Sequence, residues 1–280
     1  MEEVIIVAKL ELVGTNISYE LGRFVFLSSR DIHAFHIRVS PEALLISGIL
    51  VKILQVFSSK AIPLVHIKLS RPAIDHPIEI LVFVDLTNKR QLLNSIMNEL
   101  KELDMIQHVE YIAPIFEGFV AYNGLFPLTI FNERAIILRK PLYEAFVKLL
   151  REELGSGYTA WLYQLGVEMG RNAYKSHKEV IQSEDVDKIV KFAEALFTQI
   201  GFGKLRVRSL DIESKRALVR VYNSFECELF KGSNTPSSYL IKGMLKGWFS
   251  CLFKADIKIN EIKCIAKGDP YCEFEIKSEA

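Results

Sequence analysis

Ile257-Lys258-Ile259-Asn260-Glu261-Ile262-Lys263-Cys264-Ile265-Ala266-Lys267-Gly268-Asp269-Pro270-Tyr271-Cys272-Glu273-Phe274-Glu275-Ile276 reads as two strands folded about a turn. Apolar residues alternate over 257–265 and 271–276, and Gly268-Asp269-Pro270 supplies the turn chemistry between them. With Lys267-Gly268-Asp269 as the turn, Cys264 stands opposite Cys272 and Ile262 faces Phe274. Opposed residues of a hairpin lie about 4.5–5.5 Å apart between Cα atoms, close enough for a disulfide or for two ligands of one metal. All four cysteines, Cys227, Cys251, Cys264 and Cys272, fall in this C-terminal region, and none of the six histidines does. That clustering points to a local site rather than a distributed disulfide framework, and a metal bound there takes thiolates and carboxylates.

Upstream, residues 204–212 and 216–225 read as two further strands. Helices are expected over 141–154, stopped by Gly155-Ser156-Gly157, over 159–177, over 183–200 and over 237–253. Two of these helices carry glycine pairs one turn apart, Gly166/Gly170 and Gly243/Gly247. Each interior glycine costs a helix about 1 kcal/mol against alanine, a cost that close backbone packing explains. Residues 114–127, with Gly118, Asn123 and Gly124 between prolines, mark the domain junction.

Before that junction, residues 34–39 alternate as a strand and Ser40-Pro41-Glu42 opens a helix running to about Ser59. The apolar stretch 44–57 is too short to span a membrane and reads as a buried helix. Strands at 62–69 and 78–86, a helix ending near Leu103 and a strand at 106–112 complete a β-α-β-β-α-β order. Short strands are also expected at Val4–Leu12 and 23–27, joined around Gly14-Thr15-Asn16.

Composition excludes more than it assigns. The chain of 280 residues is long enough for two domains, half hydrophobic, with 35 Lys+Arg against 34 Asp+Glu. Global charge therefore argues for neither nucleic acid nor anionic membranes. The acidic start Met1-Glu2-Glu3 lacks the basic region of a signal peptide, so a cytoplasmic location is expected. No Walker loop, G-x-S-x-G, G-x-G-x-x-G or H-E-x-x-H occurs. Asp31, His33 and His36 lack a third ligand at matching spacing and read as ordinary histidines with a neighbouring acid. Lys204, Arg206 and Arg208 alternate on one strand and read as a solvated face, and no helix–turn–helix accompanies them.

The residues from 128 onward resemble a V4R (4-vinyl reductase-like) domain, a ligand-binding module found in aromatic-hydrocarbon sensors and archaeal proteins. The matching features come in order: Leu162-Tyr163-Gln164-Leu165-Gly166 with Gly170, Asn223-Ser224-Phe225-Glu226, Gly243 with Gly247, and Glu261 to Cys264 with Gly268-Asp269-Pro270-Tyr271-Cys272-Glu273-Phe274. Residues 30–115 resemble an ACT-type regulatory domain in topology. The turn where amino-acid-binding ACT domains carry glycine or an acid is here Arg38-Val39-Ser40-Pro41. The expected fold is α+β, with a ferredoxin-like (ACT-like) domain over 1–120 and a V4R domain over 121–280, its helices packed on an antiparallel sheet.

In zinc-binding relatives of the V4R family a glutamate and three cysteines hold the metal. By that resemblance Glu226, Cys264 and Cys272 are the candidate ligands, and the fourth position falls at Ser237-Ser238. Cys227 is expected to point away from Glu226, because neighbours on a strand face opposite sides. Zinc, a Cys264–Cys272 disulfide and free buried thiols remain three alternatives for this site. The family also implies an apolar or aromatic ligand between helices and sheet. Trp161, Tyr163, Phe197, Phe202, Phe225, Tyr239 and Trp248 are the compatible residues, with ordinary core packing as the competing reading. The expected function is a small-molecule-sensing regulatory protein, homodimeric, acting on a protein partner in transcription or metabolism, without direct nucleic-acid contact or membrane attachment. The alternatives are a non-catalytic interaction scaffold and an enzyme acting on a vinyl or aromatic substrate.

Overall fold

A computed structural model describes residues 18–45, 48–71, 73 and 75–279 of the chain. The strand expected at Val4–Leu12 and the turn at Gly14-Thr15-Asn16 lie outside the described residues. The chain divides into two compact units, Met1–Ala135 and Ile136–Ala280.

In the first unit the elements run β1 (Phe24–Phe26), β2 (Ile32–Val39), α1 (Ile49–Ser58), β3 (Leu64–Ser70), β4 (Ile78–Asp85), α2 (Leu93–Glu102), β5 (Ile106–Ile112) and β6 (Phe119–Ala121). A small hairpin, β7 (Thr129–Ile130) and β8 (Glu133–Arg134), closes it. The main sheet has the order β3-β4-β2-β5 with every neighbour antiparallel. This is the split βαβ connectivity that the element order predicts. Alternation along β2 sends Phe35, Ile37 and Val39 into a core with Ile53, Phe57, Ile96 and Leu100 of the two helices. Ile32 and Ala34 face the other way, against Leu81, Phe83 and Val120. One helix differs from expectation. Pro41–Leu45 forms only a 3₁₀ turn, and α1 begins after Gly48, whose φ of 99° ends the turn in the left-handed region. Nor is α1 buried all round: Ile53, Val56 and Phe57 are buried while Leu50 and Val51 are exposed.

The second unit contains α3 (Lys140–Glu144), α4 (Leu150–Ile181), α5 (Val186–Gln199), β9 (Lys204–Asp211), β10 (Arg216–Tyr222), α6 (Tyr239–Phe253), β11 (Ile257–Lys263) and β12 (Cys272–Ser278). A single π turn, Ala145–Leu149, joins α3 to α4. The expected stop at Gly155 is instead a kink (φ 60°, ψ −138°) inside a continuous helical run. Asp185 caps α5 by accepting from the N–H groups of Asp187 and Lys188. The four strands pair antiparallel in the order β11-β12-β10-β9. Their inward side chains, among them Val219, Val221, Phe274 and Ile259, form one core with α5 and α6.

The glycine pairs explain how α4 and α6 meet. A Cβ on Gly166 or Gly170 would strike the backbone of Leu240 and Met244, and one on Gly243 or Gly247 would strike that of Tyr163 and Val167. The two helices therefore cross backbone to backbone, which only glycine at all four positions permits.

Candidate functional site

The hairpin β11–β12 carries the first site. Glu261 pairs with Phe274 and Lys263 with Glu273, so a bulge falls at residue 262. This corrects the expectation that Ile262 faces Phe274: the inserted residue sends Ile262 outward, 46% exposed, and leaves Glu261 facing inward. Cys264 follows the last residue of β11, and its N–H donates to Asp269 Oδ2 at 2.8 Å, closing the turn. Cys272, the first residue of β12, accepts from the Ile265 N–H at 3.4 Å.

A third sulfur joins this pair. Cys227 Sγ lies 3.6 Å from Cys264 Sγ and 3.5 Å from Cys272 Sγ. Its position corrects the expectation that residues 223–226 continue a strand. β10 ends at Tyr222, Asn223 turns left-handed (φ 51°), and Cys227–Phe230 forms a 3₁₀ turn that aims Cys227 at the hairpin. Off the strand, the opposite-faces argument no longer separates Cys227 from its neighbours. Glu226 does not join the cluster: its carboxylate accepts from the N–H groups of Leu240 and Ile241, both at 2.9 Å, and caps α6. Glu261 takes the carboxylate place instead. Ser238, at the N-terminus of α6, donates to Glu261 at 2.7 Å and touches Cys227 Sγ at 2.8 Å. Cys251 lies away from the cluster on α6.

Ligand atoms of Cys227, Glu261, Cys264 and Cys272 all lie within 4.8 Å of one another, in a buried setting. A tetrahedral ion at about 2.3 Å from sulfur needs sulfurs separated by roughly 3.8 Å. The two short sulfur separations fit that spacing. The electrostatics agree. Burial, then the neighbouring Cys264 thiol, pushes the Glu261 carboxyl up to about 8. Hydrogen bonds with Cys227 and Cys272 hold the Cys264 thiol far below its usual range, and hydrogen bonds with Cys264 and Cys272, then burial, push the Cys227 thiol far above its own. Fully ionised, four buried negative groups require a cation. Within the described residues these four form a group able to hold a metal.

The second site is a cavity of about 60 Å³ lined by α4, α5, α6 and β9. Ala193, Phe197, Val207, Met244 and Trp248 are among the apolar residues around it, and His177 is the polar one. Trp248 Nε1 donates to His177 Nδ1 at 3.1 Å, which places the ring proton on Nε2. Burial holds His177 down to about 4, so the ring stays neutral at pH 7. Of the residues proposed from sequence, Phe197 and Trp248 line this cavity and the other five do not. Trp161 is 53% exposed and stacks on Tyr158. Phe202 stacks on Phe225 beside Phe197, Tyr163 lies in the α4–α6 crossing, and Tyr239 packs under the Arg151 guanidinium. His177 was missed because its partner, Trp248, lies 71 residues away in sequence.

Neither histidine near Asp31 has a nitrogen to spare. His33 bonds Asp31 and Tyr111, and His36 bonds Glu79 and Tyr122. No described helix is long and apolar enough to cross a membrane.

Residues 218–278 match the V4R domain family. An uncharacterized protein of Methanocaldococcus jannaschii is 27% identical over 169 residues, covering 60% of this chain and 78% of its own. A second from the same organism is 26% identical over 175 residues, covering 62% of this chain and 89% of its own. Among solved structures, the chain is similar to the phenol-responsive sensory domain of the transcription activator PoxR with phenol, with a TM-score of 0.49 and 19% identity over 54% of this chain and 79% of that one. It is also similar to a vinyl-4-reductase family protein from M. jannaschii, with a TM-score of 0.36 and 19% identity over 52% of this chain and 85% of that one.

Proposed function

The chain carries a V4R domain, and from that premise we propose that it is a regulatory protein sensing a small apolar or aromatic molecule. The observation that carries this reading is the apolar cavity between helices and sheet with neutral His177 as the polar residue in its wall. Such a wall suits a one-ring guest with one acceptor or hydroxyl group, oriented by the His177 Nε2–H. The cavity volume, about 60 Å³, is below the roughly 150 Å³ in which an engineered apolar cavity holds benzene. Entry of a ring therefore displaces side chains, and flexible Met244 is the one suited to yield. A guest that enlarges the cavity shifts the packing of α5 against α4 and α6. That differential packing is what allows binding to alter a second state seen by a partner.

The cysteine cluster serves this reading as a fastening. Zinc suits a donor set of three thiolates and a carboxylate. Cys227, Cys264, Cys272 and Glu261 would hold it, and it would supply structural cross-linking between the β11–β12 hairpin and the 3₁₀ turn Cys227–Phe230 that follows β10. The first unit, ACT-like in strand order, is assigned to homodimerisation or signal transmission, and the output passes to a protein in transcription or metabolism.

Differential scanning fluorimetry with phenol, styrene and cyclohexanol tests the ligand. A compound present at about 100 times its Kd adds about 2.7 kcal/mol, a shift of several degrees. Ala193→Phe, which fills the cavity, abolishes that shift while leaving the unliganded protein folded. No shift from any one-ring compound, together with none lost in A193F, overturns the reading. A scaffold without a ligand is then favoured, consistent with a cavity already narrowed by Phe197 and Trp248.

A further inference from the structure

The face of the second sheet that turns away from the helices is more basic than the chain as a whole, whose net charge is +1. Register makes this visible where sequence does not. One row across the sheet reads Asp211, Arg216, Lys277 and Lys258. The next outward row, Ser209, Leu218, Glu275 and Asn260, holds one exposed acid, and the row after it reads Arg206, Arg220, Glu273 and Lys263. Beyond it Lys204 pairs with Tyr222 on the same face. Within this grid Glu273 is only 4% exposed, and its charge is met by both Arg220 and Lys263. The exposed ends are therefore dominated by Arg206, Arg216, Lys258 and Lys277, with Arg208 exposed in the bulge of β9.

Two aromatic rings complete the surface. Tyr222 and Tyr271 lie 5.2 Å apart between ring centroids at the end of the Arg220 row. The Arg220 guanidinium sits 4.5 Å from the Tyr271 ring centre and Lys263 Nζ 4.9 Å. A basic grid with tyrosines at its edge offers phosphate contacts and a stacking surface together. An acidic protein would use the charges and leave the rings idle. A duplex hides its bases, and among the described residues this sheet face carries no helix that could enter a groove.

We propose that this face of the second sheet binds single-stranded nucleic acid, with the phosphates along the two basic rows and a base on Tyr222. The proposal is independent of the cavity. It changes the meaning of Lys204, Arg206 and Arg208, which alone read as a solvated strand. Four residues of neighbouring strands, Arg216, Arg220, Lys258 and Lys277, share their face only through register.

Fluorescence anisotropy of the full chain with labelled oligo-dT and oligo-U of about 20 nucleotides tests it. Neutralising four to five phosphates gives a log–log salt slope of about −3, so affinity falls roughly 50- to 100-fold between 50 and 200 mM salt. R206E/K258E/K277E, all at exposed positions, lowers affinity at least tenfold with an unchanged melting temperature. Y222A lowers single-strand affinity about fivefold or more at the same salt slope. Binding that ignores salt, binding unaffected by charge reversal, or equal affinity for a duplex overturns the proposal. Polyglutamate competing as strongly as the oligonucleotides overturns it in favour of an acidic protein partner.

Discussion

Gly170→Ala and Gly157→Ala are the same chemical change on the same helix, and the structure assigns them opposite signs. At Gly157 a Cβ meets no heavy atom within 4 Å, so the alanine only gains helix propensity, about 0.5–1 kcal/mol. At Gly170 the Cβ would lie 2.8 Å from the Met244 carbonyl carbon, 2.9 Å from the Trp248 nitrogen and nearer still to the Met244 oxygen. All three are backbone atoms of α6, so no rotamer change relieves the clash. The helices must separate by about 1 Å, and a gap of that size forfeits a quarter to a half of each dispersion contact along the crossing. Overpacking of this kind costs about 1–3 kcal/mol when side chains can yield, and more when backbone must. After crediting the propensity gain, we expect G170A to destabilise the second unit by about 3 kcal/mol. Both tryptophans, Trp161 and Trp248, belong to that unit, so intrinsic fluorescence during urea unfolding follows it selectively. Gly170 also borders the cavity with Met244 and Trp248, so G170A should weaken guest binding as well. A G170A variant as stable as G157A would refute the backbone-to-backbone crossing.

Three other outcomes are expected. Chelation of purified protein should release one zinc per chain and lower the melting temperature of the second unit, whereas C251S, away from the cluster, should retain the metal; metal-free protein melting with the untreated sample argues against the cluster as a fastening. His177→Phe should remove a pH dependence. A histidine held to about 4 when folded, against its ordinary 6.5, makes the unfolded chain bind the extra proton first, so stability falls as pH drops from about 7 toward 4. Comparing urea midpoints of wild type and H177F at pH 7 and 5 isolates this, and parallel losses in both would exclude it. Glu226→Ala should cost about 1–2 kcal/mol by leaving the first N–H groups of α6 unmet, while Glu226→Gln keeps one acceptor and recovers part of that; equal costs would deny the cap.

Periodicity made most of the fold legible. The order of strands and helices from residue 32 to 112 follows from alternation and turn residues, and the sheet order β3-β4-β2-β5 is what that connectivity allows. The glycine pairs were readable as a close crossing because glycine inside a helix has few other justifications. The cavity was less legible. Any of seven aromatic residues had the right chemistry, and only tertiary packing places Phe197 and Trp248 in the wall beside His177.

The cysteine–glutamate cluster shows most sharply where local reasoning stops. Two single-residue irregularities decide its membership: left-handed Asn223, which ends β10, and the bulge at Ile262. Each shifts the facing of the neighbouring residues by one position, exchanging Glu226 for Cys227 and drawing in Glu261. A signal for the first was present, since Asn223-Ser224 is turn chemistry and asparagine tolerates the left-handed region better than other residues with a Cβ. No comparable signal marks Ile262, a good strand residue that stands exposed. Its register is set from the far side, by buried Cys272, Phe274 and Ile276 on β12, which fix Phe274 inward and leave the partner strand to absorb the extra residue. Glu261→Ala should therefore remove the one carboxylate that this register turns toward the sulfurs. Zinc affinity should drop at least tenfold while the hairpin itself survives, a pattern that a cluster held by the three cysteines alone would not produce.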